Sequence, residues 1–117
     1  MLKVYAYAKC DTCRKALKFL ESREIEHRVI PIRDQPPSKA ELKKMLDYVG
    51  GNLRLLFNTS GGDYKALGLK DRMARMSQAE AFELLSTNGN LVKRPFVVAD
   101  GFGLTGFDEN DWKEHFR

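Results

Sequence analysis

The stretch Leu2-Lys3-Val4-Tyr5-Ala6-Tyr7-Ala8-Lys9-Cys10-Asp11-Thr12-Cys13-Arg14-Lys15-Ala16-Leu17-Lys18-Phe19-Leu20, followed by Glu26-His27-Arg28-Val29-Ile30-Pro31-Ile32, decides the fold. Residues 2–8 alternate loosely, with Leu2, Val4, Ala6 and Ala8 in step, which predicts a strand. Cys13, Ala16, Leu17 and Leu20 then recur at three and four, the spacing of one helical face. A helix is expected from a cap at Asp11 or Thr12 to about Arg23. Residues 26–32 predict a second strand, and Pro31 places its end, or a sheet edge, there. Strand, helix and strand within about thirty residues make a βαβ unit with parallel strands.

Downstream, Arg33-Asp34-Gln35-Pro36-Pro37 reads as a turn. Ser38 and Glu41 form a capping-box pattern that opens a helix with Leu42, Met45, Leu46 and Val49 on one face. Gly50-Gly51 stops it. Leu53, Leu55, Leu56 and Phe57 predict a short buried helix. Tyr64, Leu67 and Leu69 begin further short helical pieces after the Gly61-Gly62 break. Ser77 and Glu80 repeat the capping-box pattern before Phe82, Leu84 and Leu85, and Asn88-Gly89-Asn90 ends that helix. Phe96-Val97-Val98-Ala99 is then β-branched and aromatic. It reads as a strand turning at Asp100-Gly101 into a return strand near 103–106. Asp108 is placed to cap a last helix with Trp112 and Phe116 one turn apart. The order is βαβ, helices, ββα, an α/β chain without repeats or low-complexity tracts.

Composition bounds the function. The 117 residues are 43% hydrophobic and 31% charged, suited to one domain with one core. No apolar run approaches the roughly 18 residues of a membrane span. The first residues carry no export-signal pattern, so a cytoplasmic protein is expected. Net charge is +4, from 20 basic and 16 acidic residues spread along the chain. The densest basic stretch, Arg14-Lys15 with Lys18, reads as a solvated helix face rather than a nucleic-acid patch. Its position beside Cys10 also suggests cations that lower that thiol's pKa.

The chain has two cysteines, Cys10 and Cys13, in a Cys-x-x-Cys pattern across a helix start. Helix N–H groups there favour a thiolate on the first. Cys10 is therefore the expected nucleophile. Cys13, one turn in and more buried, is the expected resolving thiol. Zinc is disfavoured, because His27 falls in a predicted strand and His115 in the last helix, without ligand spacing. Those histidines read as partly exposed polar residues, and Trp112 reads as core. Tyr5 and Tyr7 read as packing or cleft-lining. The run Asn58-Thr59-Ser60-Gly61-Gly62 reads as a plain turn, with an anion-cradling loop as the alternative. Arg94 is either a surface arginine or an anion and thiolate partner. Pro95, from its spacing alone, is an ordinary loop-to-strand proline.

Several segments together resemble one known family. They are residues 5–16 around the cysteines, Leu56-Phe57-Asn58-Thr59, Leu67-Gly68-Leu69, Lys93-Arg94-Pro95 and Gly106-Phe107. They resemble the ArsC/Spx/YffB family, the glutaredoxin-linked arsenate reductases and their relatives, over nearly the whole chain. The resemblance implies a thioredoxin-like fold over residues 1–117, with a mixed four-stranded sheet and a helical insertion at about 38–90. It also implies that Pro95 is a cis-proline. In arsenate reductases one cysteine and three arginines surround the oxyanion. Cys10 and Arg94 match two of these positions, while the other two arginines fall on Asn58 and Phe107. One cation in place of three neutralises an arsenate dianion poorly.

The expected function is a thiol–disulfide reductase. Cys10, Cys13 and Arg94 would be catalytic, and Lys9, Thr12, Arg14, Asn58 and Pro95 would bind substrate. No metal is expected. Glutathione, thioredoxin or glutaredoxin would donate electrons to a monomer that binds neither membrane nor nucleic acid. The alternatives are an Spx-like redox sensor that binds the RNA polymerase α-subunit and, more weakly, an arsenate reductase. The chain ends at Arg117, soon after the last predicted helix, whereas Spx proteins carry a longer tail.

Overall fold

The computed structural model describes residues 2–116. Four strands form one sheet: β1 (Leu2–Ala6), β2 (His27–Pro31), β3 (Phe96–Ala99) and β4 (Phe102–Thr105). Their order is β2-β1-β3-β4. β1 pairs with β2 in parallel, Val4 opposite Val29. It pairs with β3 antiparallel, Val4 opposite Val97. β4 returns antiparallel to β3. This is the mixed four-stranded sheet of the thioredoxin-like expectation, with β2 and its Pro31 at an edge.

Strand alternation sends successive side chains to opposite faces. From β1, Leu2, Val4 and Ala6 join Val97 of β3 against α1 (Asp11–Ser22) and α6 (Glu109–His115). Cys13, Ala16 and Leu20 of α1 and Trp112 of α6 complete this layer. Around Phe19, the rings of Phe107 and Trp112 meet edge-on with centroids 5.8 Å away, a favoured aromatic geometry. On the opposite face, Tyr5 and Phe96 pack edge to face at 5.9 Å. They join Leu42, Met45 and Leu46 of α2 (Lys39–Tyr48) and Ala81, Phe82 and Leu85 of α5 (Gln78–Thr87). The sheet is thus covered on both faces, as a strand pair joined by a helical crossover requires.

The helical insertion consists of α2, α3 (Gly62–Ala66), α4 (Leu69–Arg72), α5 and short 3-10 turns at 53–56, 73–75 and 89–91. Ser38 and Glu41 make the full reciprocal capping box at the start of α2, and Gly50 ends that helix at positive φ. At α5 only half the box forms. Ser77 accepts the Glu80 N–H, but the Glu80 carboxylate is drawn to Arg72 instead. Residues 53–56 form a 3-10 turn rather than a buried helix. Leu56 is buried, while Leu55 is 46% exposed, because a single tight turn buries only one side. Leu67 is likewise exposed at 45%. β1 ends at Ala6 rather than Ala8, since Tyr7–Lys9 already turn into α1, with the Cys10 N–H donating to the Tyr7 carbonyl at 3.0 Å.

Gly89 holds the insertion against the sheet layer. A Cβ built there would lie 1.8 Å from the Ile32 carbonyl oxygen. Gly89→Ala is expected to lower unfolding free energy by about 2–3 kcal/mol, or to prevent folding, through backbone overpacking. Gly62→Ala, where a Cβ meets nothing within 4 Å, is expected to be near neutral. Urea unfolding of the two variants checks the contrast.

Candidate active site

α1 begins at the C-terminal end of β1, and its N-cap is Cys10 itself rather than Asp11 or Thr12. The chain is extended at Cys10 (φ −95°, ψ 119°) and its carbonyl accepts the first helical bond from Arg14 at 3.0 Å. No side chain caps this helix. Its first N–H groups are therefore left for an anion, and the nearest candidate is the Cys10 sulfur. Asp11, one residue on, pairs instead with Arg14. Burial of the α1 face explains the different exposure of the two thiols. Cys13 lies on that face and is fully buried, whereas Cys10 is half-buried at its edge, and both are free thiols.

The other wall is built by segments far away in sequence. An isolated antiparallel bridge joins Phe57 to Val92. The Asn58 N–H donates to the Leu91 carbonyl at 2.7 Å and the Lys93 N–H to the Leu56 carbonyl at 2.8 Å. Asp63 accepts from the side-chain amides of Asn88 (3.0 Å) and Asn90 (3.3 Å), tying α3 to the same segment. The chain then passes through a cis Arg94–Pro95 bond into β3. That bond corrects the ordinary trans proline read from spacing and agrees with the family resemblance. Pro95 is buried, and its carbonyl accepts the Gly106 N–H at 2.8 Å.

These walls enclose a cavity of about 420 Å³ lined by Cys10, Thr12, Asn58, Ser60, Gly61, Lys93, Arg94, Gly106 and Phe107. Of the residues expected to bind substrate, Thr12 and Asn58 line it. Lys9 and Arg14 are exposed and lie outside its lining, and Pro95 sits behind it. Residues 58–61 turn into α3, closed by the Gly61 N–H on the Asn58 carbonyl at 3.1 Å, and Gly62 opens the helix. Asn58, Ser60 and Gly61 nonetheless line the cavity that Cys10 opens into. Lys93 is a second cavity cation that sequence reasoning passed over. Its signal was its place beside Arg94 ahead of a strand. Asn58 and Phe107, where the family resemblance implies two further arginines, both line this cavity.

The electrostatics separate the two sulfurs. Partial burial alone would raise the Cys10 pKa. The Cys13 backbone N–H, the Cys13 thiol and the Arg94 guanidinium outweigh it, so the net direction is down. Burial pushes Cys13 up to about 12, reinforced by the neighbouring Cys10 and opposed by the Tyr7 backbone and Arg94. The cation acting on Cys10 is thus Arg94 rather than the basic first turn of α1, where Arg14 is engaged by Asp11. One terminal nitrogen of Arg94, Nη1, is buried without a hydrogen-bond partner. A buried guanidinium donor left open beside a thiol is suited to an anionic or carbonyl oxygen of a bound molecule. Among the described residues no cluster of three or more His, Cys, Asp or Glu is placed to hold a metal ion. His27 Nδ1 lies 2.8 Å from the Ile25 carbonyl, and the His115 ring meets Phe102 at a 52° tilt with centroids 4.2 Å apart. Among the described residues no helix is long and apolar enough to cross a membrane.

Comparison with known proteins places this arrangement. The sequence model of the ArsC family matches residues 5–115. The Bacillus subtilis protein YusI is 46% identical over 116 residues, covering 98% of each chain. An arsenate reductase of Rhizobium meliloti is 32% identical over 96 residues, 82% of this chain and 67% of that one. The global transcriptional regulator Spx of Listeria innocua is 24% identical, over 95% of this chain and 83% of its own. Among solved structures, an ArsC family related protein from Bacteroides fragilis superposes with a TM-score of 0.90 at 40% identity, covering 97% of this chain and 95% of that one. With a family match spanning nearly the whole sequence, relatives at this identity and a shared fold, the chain belongs to the ArsC family.

Proposed function

We propose that this protein is a thiol–disulfide reductase in which Cys10 is the nucleophile and Cys13 the resolving thiol. The observation that supports it most directly is a half-buried, acidified Cys10 that lines one cavity with Arg94, paired with a fully buried Cys13 one helical turn behind it. In the first step the Cys10 thiolate attacks one sulfur of a substrate disulfide. The substrate S–S bond breaks, a mixed disulfide forms on Cys10, and the departing thiolate takes a proton from solvent.

The second step needs Cys13 as a thiolate, although burial holds its pKa high at the start. The first step relieves part of this. Once Cys10 is in a mixed disulfide its negative charge is gone, while Arg94 and the Tyr7 backbone still favour a Cys13 thiolate. Cys13 then gives up its proton and attacks the Cys10 sulfur. The Cys10–Cys13 disulfide forms and the second substrate thiol leaves. Two electrons from glutathione, thioredoxin or glutaredoxin restore the dithiol, with the cytoplasm as the compartment that keeps it reduced. Thr12, Asn58 and Lys93 contact the bound molecule, and Arg94 receives its anionic or carbonyl oxygen through Nη1.

Arsenate reduction is a second reading, favoured by the similarity to an arsenate reductase and weakened by the cavity's charge. Lys93 and Arg94 are the cationic residues in the lining, and Asn58 and Phe107, where the resemblance implies further arginines, bring no positive charge to a dianion. Slow arsenate turnover by the wild type and a rise in Asn58→Arg, read as arsenite release, is the outcome that reading requires. An Spx-like sensor of the RNA polymerase α-subunit would use the same thiols without sustained turnover.

Steady-state reduction of a small aromatic disulfide, with glutathione or thioredoxin as donor, tests the reductase. Cys10→Ser is expected to fall to background. Cys13→Ser is expected to accumulate a mixed disulfide visible by mass spectrometry. Full turnover by Cys10→Ser removes the proposal, and a wild type that oxidises once without turning over favours the sensor.

The pH dependence has a defined sign. A lowered pKa means the Cys10 thiolate persists to more acid pH than an ordinary thiol of about 8.5. Alkylation of Cys10 by iodoacetamide should therefore reach half its plateau rate below that pH. Arg94→Gln is expected to move the midpoint upward by about one pH unit, since it removes an opposite charge.

A further inference from the structure

Arg94 presents a problem of placement. Its side chain is long and loses much rotamer freedom when held in one position. Among the described residues it makes no ion pair, and its buried Nη1 has no hydrogen-bond partner. Yet it must stay beside Cys10 to act on that sulfur. Besides its hydrogen bond to the Cys10 sulfur, it rests on the ring of Tyr7, with its guanidinium carbon 5.2 Å from the ring centroid. That separation is within the reach of a cation–π contact.

Tyr7 is itself held from several sides. The exposed Arg33 donates to the Tyr7 hydroxyl at 2.8 Å and places its own guanidinium carbon 4.9 Å from the same centroid. The ring packs against the core layer on the α2 and α5 face of the sheet. The Tyr7 carbonyl accepts the Cys10 N–H at 3.0 Å, so ring and thiol hang from one short turn. Arg33, Tyr7 and Asn90 share a neighbouring cavity of about 440 Å³ that does not contain Cys10. Arg33 therefore anchors the ring from outside the thiol cavity.

We propose that Tyr7 is a positioning residue: its ring holds the Arg94 guanidinium beside Cys10, and the Arg33 hydrogen bond to its hydroxyl fixes the ring. This deepens the reductase reading, because it names what keeps the anion-binding arginine on the reactive thiol. The geometry distinguishes it from a merely structural tyrosine. Its two backbone contacts near the cysteines survive any side-chain replacement, so a change seen on removing the ring belongs to the ring. The charged and titratable groups facing Cys10 are Cys13 from α1 and Lys93 and Arg94 from the segment before β3. Of these, Arg94 lies over the Tyr7 ring.

The test is the pH profile of Cys10 alkylation in the full chain, read by mass spectrometry at that residue. Tyr7→Leu is expected to raise the midpoint by about half a pH unit, the size of an exposed to partly desolvated cation–π contact. Tyr7→Phe keeps the ring and is expected to restore most of the wild-type midpoint. In an Arg94→Gln background, Tyr7→Leu is expected to add nothing. Tyr7→Met, a second ring-free variant, gives the same readings should Tyr7→Leu fail to fold. An unchanged midpoint in the ring-free variants overturns the proposal. So does an equal shift with and without Arg94. Alkylation reports thiol acidity whether or not a disulfide is turned over. Failure of the reductase reading would appear as absent turnover with this coupling intact.

Discussion

Cys13, Ala16 and Leu20 are excluded from solvent against Val4 of β1 and Val97 of β3, and this contact holds the start of α1 at the end of the central strand. Much else depends on it. It buries Cys13 and leaves Cys10 at the boundary. It aims uncapped helix N–H groups at a sulfur rather than at water. It also sets how the turn Tyr7–Lys9 must run, and hence where the Tyr7 ring lies. The thiol pair's asymmetry is therefore a packing result before it is an electrostatic one. The same two residue types in a solvated turn would titrate much alike.

The electrostatic half comes from the far end of the sequence. Antiparallel pairing of β3 with β1 brings Arg94 to the thiols, across more than eighty residues of chain. The insertion between the two halves contributes by hydrogen bonds rather than by charge. The Phe57–Val92 bridge and the Asp63 contacts with Asn88 and Asn90 fix the segment leading to Arg94. Elements that look like decoration on the sheet thus bear on thiol chemistry. Position 58 illustrates the trade: Asn58 faces the cavity but also ties its own turn to residue 90 through a 3.4 Å amide contact.

Periodicity made the elements legible. The alternation of β1, the three- and four-residue spacing of α1, the Ser38 box and the Asp108 cap all appear where their local patterns place them. Local patterns failed where a distant partner competed. Glu80 left its box for Arg72. Leu55 fell on the open side of a tight turn. Asp11 and Thr12 looked like caps, but the backbone of Cys10 takes that place. Lys9 and Arg14 drew notice by adjacency to the cysteines, although adjacency in sequence does not decide which way a helix start points its side chains. Lys93 and Tyr7 were visible as residues, and their neighbours were not.

The sequence by itself determined the α/β order, the position of both thiols across a helix start and the family. The first two follow from short-range patterns, because periodicity and capping are properties of a few consecutive residues, while the family follows from the resemblance of several segments spread along the chain. Only the tertiary structure decided which cation meets Cys10, which side chains wall the cavity and what holds Arg94 in place. Those depend on strand pairing and on the burial of one helix face, and both join residues whose separation along the chain carries no local signal.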